Sequence, residues 1–224
     1  MCNLYNATTT HEAMRQLFLP IHDLTNRLTP QIDIFPDYHA PIGRKNGEGE
    51  RELALARWGM PTPRQYLKSE IDSGVTNIRN PTSSHWRRWM GPESRCVVPA
   101  TSFSEYGEVA DPVAKKKPIH WFARNEERPL FWFAGIWTSW YSIRTKKEGP
   151  VQADIFAFLT TDPNSIVAPI HPKAMPVILT STDEIDVWMN APAEEALKLQ
   201  RPLADEQLIL LPKPAAEEEQ PSLL

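Results

Sequence analysis

The chain has 224 residues, enough for one domain with a substantial hydrophobic core. Hydrophobic residues make up 41% of it, and no stretch approaches the roughly 18 consecutive apolar residues of a membrane-spanning helix, which argues against a membrane partner. The formal net charge of -4 argues against a protein that coats nucleic acid through overall positive charge, so a DNA or RNA partner requires a localised basic surface.

The chain begins "MCNLYN", without the basic region and apolar run of a secretory signal, so we expect a cytoplasmic protein. Cys2 is small enough for a methionine aminopeptidase to remove Met1, which would leave a thiol and an α-amine on one residue. The alternative is that position 2 merely tolerates any small residue. An α-amine suits carbonyl chemistry at cellular pH because its reference pKa is about 7.7–8.0, against about 10.4 for lysine.

The apolar patterns predict short elements along the chain. The stretch "HEAMRQLFL" fits a short helix with Ala13 and Leu17 on one side. Near the other end, "DEIDVWMN" and "AEEALKLQ" are predicted helices that start at Asp183 and Pro192. Between them we predict strands for "LALARWGM", "CVVPATSFSEY", "ADIFAFLTT" and "MPVILT", and a hairpin of "KPIHWFAR" with "PLFWFAGIWTSW".

Many short strands, with helices gathered at the ends, predict an α+β fold: a single domain with a curled, mostly antiparallel, barrel-like β-sheet core and peripheral helices. We expect this domain to cover residues 1–212 and an acidic disordered tail to cover residues 213–224. The sequence contains no Gly-rich phosphate loop and no close Cys/His spacing, so we expect neither a cofactor nor a metal.

Two side chains are candidates for the proton transfers that chemistry at Cys2 requires. Glu105, in "PATSFSEYGE", is an acid within a strand of apolar and small residues, and His171 lies between a proline-bounded turn and a buried strand. From pattern alone, an outward-facing strand residue explains Glu105 equally well, and a satisfied structural histidine is the favoured interpretation of His171. A freed Cys2 has two routes: thiol attack with its own amine as base, or condensation of the amine with an aldehyde and closure of a thiazolidine ring.

The stretch "VTNIRNPTSSHWRRWMGPESRC" is the best candidate for a nucleic-acid surface. Its tryptophans either stack on bases or anchor the segment to the core, and its arginines supply positive charge. Asn77 and Arg79 alternate along this extended segment, so they would share one face. There the amide could orient the Cys2 amine and the guanidinium could hold a phosphate. The cationic and aromatic residues of the stretch are Arg79, Trp86, Arg87, Arg88 and Trp89.

The sequence resembles the SOS response-associated peptidase family, the abasic-site processing proteins with a catalytic cysteine at position 2. Taken together the matching pieces are specific, and they cover nearly the whole domain in the family order. They are "MCNLYN", "ARWGMP", "TNIRNPTS", "RCVVPATSFSEYGE", "FAGIWTSW" and "FLTTDPNSIVAPIHPKAMPVIL".

The resemblance implies a monomer that finds abasic sites in single-stranded DNA, becomes nucleoid-associated there, and bonds covalently to the deoxyribose aldehyde. It implies that Cys2 is the nucleophile and that Asn77 orients its amine. Glu105 would transfer protons, and His171 would assist opening of the sugar ring and reversal of the link, a lyase activity. The same two groups would serve a peptidase reaction that removes Met1. The DNA-binding set would be Trp58, Arg79, Trp86, Arg87 and Arg88.

Two departures from the family pattern affect this assignment. Asn80 replaces an acid that often follows the Asn-x-Arg element, and the spacing from His171 to Met175 is one residue longer than usual. The position of the imidazole therefore depends on how the loop accommodates Ala174.

Two other classes of protein remain open. A glutamine-dependent amidotransferase also begins Met-Cys, and it would require a four-layer α/β/β/α sandwich and a clamp for the glutamine carboxylate. A noncatalytic reader of modified DNA would need only the tryptophans and arginines, and Cys2 would then be incidental.

Overall fold

A computed structural model describes residues 2–9, 11–25, 31–110 and 115–212, which form fourteen β-strands and three short α-helices. The predicted acidic tail at 213–224 lies outside these residues. The helices are α1 (His11–Phe18), α2 (Thr182–Asn190) and α3 (Ala193–Ala196). The strands are β1 (Tyr5–Ala7), β2 (His22–Asp23), β3 (Gln31–Ile34), β4 (His39–Lys45), β5 (Arg51–Trp58), β6 (Asn77–Ile78), β7 (Arg95–Ala100), β8 (Ser102–Tyr106), β9 (Ile119–Ala123), β10 (Phe131–Ile143), β11 (Pro150–Thr161), β12 (Met175–Pro176), β13 (Ile178–Leu179) and β14 (Ile209–Leu210).

Five of the strands close into a barrel. β5, β4, β7, β10 and β11 pair in that order, and β11 returns to β5. Every neighbouring pair is antiparallel except β11 with β5, because a ring with an odd number of strands cannot alternate direction all the way round. Aromatic rings fill the core, and the ring centroids of Phe133 and Phe158 lie 4.6 Å apart. The predicted fold class, α+β with a barrel-like and mostly antiparallel core, is confirmed.

A second sheet brings the start of the chain to the barrel. Its strands pair in the order β14, β9, β8, β1 and β3. On β1, Tyr5 lies opposite Phe103 of β8 on one side and opposite Ile34 of β3 on the other. The Tyr5 ring packs edge-on against Trp58 of the barrel, with centroids 5.2 Å apart. Residues 2–4 therefore lie where the two sheets meet.

The predicted hairpin of "KPIHWFAR" with "PLFWFAGIWTSW" is wrong. β9 pairs with β8 and β14 in the second sheet, whereas β10 belongs to the barrel. The first part of β10, which a short hairpin would use, has β7 along one edge and β13 and β11 along the other. Apolar alternation identifies a strand, but it does not identify the partner of that strand.

The stretch "CVVPATSFSEY" was predicted as one strand but forms two, β7 and β8, in different sheets. The chain changes sheet at Thr101, whose N–H donates to the Asn6 carbonyl at 2.8 Å. Bends of this kind are how strands pass between packed sheets. This bend carries the chain from the barrel to the strand that holds Glu105.

The predicted helices form, with one change of cap. Ser181, and not Asp183, caps α2, because its Oγ accepts a hydrogen bond from the Glu184 N–H at 3.2 Å. Pro192 caps α3 as predicted. No helix among the described ranges is long and apolar enough to cross a membrane.

Candidate active site

Cys2 lies fully buried beside β8. The antiparallel contact of β1 with β8 continues toward the terminus, because the Ser104 N–H donates to the Leu4 carbonyl at 3.0 Å. The Cys2 thiol donates to the same carbonyl at 3.5 Å. Burial raises the pKa of the thiol far above its usual value, and the negative charge of Glu105 raises it further. The thiol is therefore protonated at neutral pH, and it becomes a nucleophile only when a base takes the proton.

Asn77, at the start of β6, holds the backbone of Cys2. Its Nδ2 donates to the Cys2 carbonyl oxygen at 2.8 Å and to the Thr76 hydroxyl at 2.8 Å. This amide was predicted to orient the amine of Cys2, whereas its bond in the structure goes to the carbonyl. The Asn77 Oδ1 is buried and has no hydrogen-bond partner in the described part of the chain. That oxygen is a free acceptor beside the same residue.

Glu105 lies on β8 with 1% of its surface exposed. Burial raises the pKa of its carboxyl group to about 7. Its Oε2 lies 3.8 Å from the His171 Nε2. Burial lowers the pKa of His171, so the imidazole is mostly neutral at pH 7. The two groups together can give and accept a proton near neutral pH, which is the property required of general acid and base groups.

The turn after His171 sets the orientation of the imidazole. Its Nδ1 lies 3.1 Å from the Ala174 carbonyl oxygen and 3.3 Å from the Ala174 nitrogen. With Nδ1 facing this backbone, Nε2 faces Glu105. Ala174 is also the position that makes the spacing to Met175 one residue longer than usual in the family pattern. The longer loop therefore accommodates the histidine through direct contact with it.

Arg79 lies on the surface, two residues after Asn77. Its guanidinium forms an ion pair with the exposed carboxylate of Asp162, and its carbonyl accepts a hydrogen bond from the Gln200 side chain at 2.9 Å. A phosphate that binds Arg79 must compete with Asp162. Such exposed pairs contribute about 0–1 kcal/mol, so this competition is weak.

The tryptophans of the predicted nucleic-acid segment are mostly buried. Trp86 and Trp89 pack together with ring centroids 5.9 Å apart, so they anchor the segment. The exposed Arg88 guanidinium covers the Trp89 ring at 4.2 Å, and Arg87 is also exposed. Beside them lies an open groove of about 590 Å³. Its lining includes Pro63, Tyr66, His85, Trp86, Arg88 and Trp140.

Trp58 requires a correction. Trp58 was predicted to belong to the DNA-binding set, but its side chain is fully buried in the core. Its indole N–H donates to the Thr76 carbonyl at 3.1 Å, and its ring stacks on that of Phe158 with centroids 5.2 Å apart. Trp58 therefore supports the segment before Asn77 from beneath, and it presents no surface to DNA.

The structure thus brings four predicted residues to one place: Cys2, Asn77, Glu105 and His171. It also shows that the backbone of Ser104 and Ala174 and the hydroxyl of Thr76 support them. These small residues carry no catalytic signature in a sequence, and only their proximity to the recognised groups could have indicated them. Across the described ranges, no cluster of three or more His, Cys, Asp or Glu side chains could hold a metal ion.

Comparison with known proteins identifies the family of the chain. The model of the SOS response associated peptidase (SRAP) family matches residues 1–213. The chain belongs to the SRAP family. The resemblance inferred from the sequence motifs is confirmed, and SRAP membership supports a function associated with DNA damage, a DNA-related partner and a peptidase-like activity. No curated protein matches the sequence.

Three solved structures share the SRAP-like fold of this chain. A protein of Bordetella bronchiseptica is 23% identical with a TM-score of 0.70, and the match covers 95% of this chain and 100% of that one. A protein of Bacteroides thetaiotaomicron is 23% identical with a TM-score of 0.71, covering 93% and 90%. A phage-related protein of Bordetella bronchiseptica is 19% identical with a TM-score of 0.70, covering 96% and 95%. At these identities the likeness concerns the fold.

Proposed function

We propose that this SRAP protein, once Met1 has been removed, bonds covalently through Cys2 to the deoxyribose aldehyde of an abasic site in single-stranded DNA. The observation that carries the proposal is the convergence of Cys2, Asn77, Glu105 and His171 at one buried position. The protein acts on DNA as a monomer and forms a thiazolidine that shields the lesion.

The first step is condensation of the Cys2 amine with the aldehyde. The Asn77 Oδ1, which has no hydrogen-bond partner among the described residues, accepts a hydrogen bond from this amine, while Nδ2 keeps its bond to the carbonyl of the same residue. The amine nitrogen attacks the aldehyde carbon, and one of its protons passes to the aldehyde oxygen. Glu105, protonated in part because its pKa is about 7, donates a proton to that hydroxyl group, which leaves as water.

The second step closes the ring. The Cys2 thiol is protonated, since burial and the charge of Glu105 raise its pKa. Its sulfur adds to the carbon of the protonated imine, the C=N electron pair moves to nitrogen, and the thiol proton passes to the Glu105 carboxylate, which restores the acid form. The net reaction consumes one aldehyde and one aminothiol and releases one water molecule. Glu105 thus acts as acid in the first step and as base in the second.

His171 assists at the sugar. The abasic deoxyribose is mostly a closed hemiacetal, and opening it requires movement of a proton from the hydroxyl group to the ring oxygen. A neutral imidazole 3.8 Å from Glu105 is suited to this transfer and to its reverse, which would release the DNA. The same pair could assist hydrolysis of the Met1–Cys2 peptide bond, the peptidase step of the proposal.

DNA binding belongs to the surface outside this pocket. Arg79, Arg87 and Arg88 are exposed and can contact phosphates, so binding is salt-dependent and has little preference for base sequence. Specificity for the lesion then comes from the covalent step, because only an abasic site offers an aldehyde.

The two alternatives fit the structure less well. An amidotransferase of the N-terminal nucleophile class has a four-layer sandwich, whereas this chain forms a five-stranded barrel with a second sheet. A noncatalytic reader of modified DNA would have no use for the carboxyl group of Glu105 beside Cys2. Burying that group costs folding free energy, so a role in the chemistry explains it better.

The test is intact-mass spectrometry. The protein is incubated with uracil-containing single-stranded DNA that a uracil glycosylase has converted to an abasic strand. We expect a protein that lacks Met1 and an adduct equal to protein plus DNA minus one water. An adduct on protein that retains Met1, or no adduct on protein that lacks it, would contradict the proposal. Glutamine hydrolysis by the same sample would support the amidotransferase.

A further inference from the structure

An exposed pair of aromatic side chains lies in a tight turn, residues 35–38, which we call the aromatic turn. Phe35 is 38% exposed and Tyr38 is 55% exposed, and their rings meet edge to face with centroids 5.7 Å apart. The Tyr38 N–H closes the turn on the Phe35 carbonyl at 3.1 Å. Aromatic rings grouped at the surface often mark a place where another molecule binds.

The aromatic turn is held rigidly from beneath. Asp37 has φ of 73°, in the left-handed region, and its carboxylate accepts two hydrogen bonds from the buried Arg57 at 2.7 and 2.6 Å. Arg57 in turn binds Glu148 at 2.8 and 3.0 Å. Asp37 is thus paired with Arg57 on the inner side of the turn. These contacts hold the turn without any contribution from the two rings, so they do not account for exposed aromatic residues at this position.

The aromatic turn also adjoins the candidate active site. The turn begins directly after Ile34, which lies opposite Tyr5 in the antiparallel pairing of β1 with β3, and Tyr5 is three residues after Cys2 in the chain. The turn also contacts the backbone of Trp58. The Asp37 N–H donates to the Trp58 carbonyl at 2.8 Å, and the Trp58 N–H donates to the Tyr38 carbonyl at 2.9 Å. The Trp58 indole then donates to the Thr76 carbonyl, directly before Asn77.

We propose that Phe35 and Tyr38 form a stacking platform for a nucleobase next to the abasic position. This inference rests on the proposed function and names where the flanking DNA binds. A strand that presents its abasic sugar to Cys2 has lost one stacking partner at the lesion, and the adjacent base then stacks on an aromatic ring of the protein. Stacking tolerates any base sequence because every base has a π-face.

The experiment uses single-stranded DNA with a tetrahydrofuran abasic analogue, which has no aldehyde, so that binding is measured without the covalent step. The fluorescent base 2-aminopurine is placed on either side of the analogue. We expect the wild-type chain to quench its emission on one side. The double variant Phe35→Ala/Tyr38→Ala should lose this quenching and bind about tenfold more weakly.

Three variants serve as controls. Tyr38→Phe keeps the ring and should quench as the wild type does. Tyr141→Ala removes an exposed tyrosine of β10 and should leave affinity within about twofold. Because both rings of the aromatic turn are exposed, thermal unfolding of the double variant should be unchanged. If that variant does not fold, Tyr38→Leu keeps apolar bulk without a π-face and must reduce quenching.

The outcomes separate the two proposals. A wild-type protein that forms no adduct with aldehyde-bearing DNA contradicts the proposed function. A wild-type protein that forms the adduct, together with a folded double variant that binds and quenches normally, overturns the stacking platform alone.

Discussion

The candidate active site, which we call the pocket, and the proposed DNA-binding surface of this protein are organised in opposite ways. In the pocket, Cys2 and Glu105 are almost entirely buried, and burial is the largest cause of the shifted pKa of each. On the surface, Arg79, Arg87 and Arg88 are exposed, and Arg79 forms an ion pair with an acid. The pocket has fixed geometry and altered protonation, whereas the surface has ordinary charges that solvent screens.

This contrast suggests a division of labour. Removing a group from the pocket should change the rate of bond formation by orders of magnitude and leave DNA affinity unchanged. Removing a surface charge should change affinity by a few fold and leave the reactivity of Cys2 intact. Each prediction below tests one side of this division.

The largest effect is expected for Cys2→Ala. The variant should form no adduct with abasic DNA, because it lacks the sulfur that closes the ring, and it should bind the tetrahydrofuran analogue as the wild type does. Gel electrophoresis under denaturing conditions measures the adduct, and fluorescence anisotropy measures affinity. Cys96→Ala is the matched control, since Cys96 is the other cysteine of the chain and is also buried. A residual adduct in Cys2→Ala, or its loss in Cys96→Ala, would assign the chemistry elsewhere.

Glu105→Gln should slow adduct formation by about 10²–10⁴-fold, the usual contribution of a general acid or base. The amide keeps the size of the side chain but cannot exchange a proton at neutral pH. Single-turnover kinetics with excess protein measure the rate. Glu108→Gln, an exposed acid three residues away, should react at the wild-type rate. Equal rates for wild type and Glu105→Gln would remove the acid–base role.

Much of the candidate site could be predicted from the sequence, because the chemistry restricts the residue types. A cysteine at position 2 and an acid within an apolar strand are unusual in themselves, so Cys2 and Glu105 attract notice without a structure. Asn77 was predicted to contact Cys2, and it does, although through the carbonyl and not the amine. His171 was less distinctive, since histidines beside proline turns are common.

The failures concern contacts between residues far apart in the chain. Trp58 is buried because β5 pairs with β11 when the barrel closes, and its ring then packs on Phe158, a hundred residues later. No local pattern encodes that closure. The partner of β9 was missed for the same reason: alternation identifies a strand, whereas pairing depends on which sheet edges the rest of the fold leaves open. The exposed aromatic turn was also missed, because exposure depends on the same nonlocal packing.

Burial of Glu105 also predicts a pH dependence of stability. Its folded-state pKa of about 7 lies above the ordinary value of 4.5, so the folded state holds the proton more tightly than the unfolded state. The stability that this tighter proton binding adds to the folded state is fully present below about pH 4.5 and is lost as pH rises through about 7. Glu105→Gln should therefore gain stability relative to wild type between pH 5 and pH 8, on the order of 1–3 kcal/mol. Urea unfolding at both pH values measures the difference, and a constant difference would show that the carboxyl group is not shifted.

Arg79→Ala should weaken binding to single-stranded DNA severalfold and reduce the slope of log affinity against log salt by about 1, because one phosphate contact is lost. Reaction of Cys2 with a small free aldehyde should be unchanged. Anisotropy titrations over a range of salt concentrations measure DNA affinity. Mass spectrometry of the adduct with the small aldehyde measures the reactivity of Cys2. An equal loss in both would place Arg79 in the pocket rather than on the surface.

The smallest effect distinguishes an arginine that merely lies on the surface from one that binds phosphate. Asp162 holds the Arg79 guanidinium, so Asp162→Asn should release it and raise DNA affinity by about two- to threefold at low salt, the range expected for an exposed pair. In the double variant Asp162→Asn/Arg79→Ala this gain should disappear, because Asp162 acts through Arg79. If Asp162→Asn instead raises affinity equally in both backgrounds, the carboxylate repels DNA directly, and Arg79 has no special part in the contact. In that case the charges on the surface would be interchangeable, whereas each group in the pocket must occupy one position.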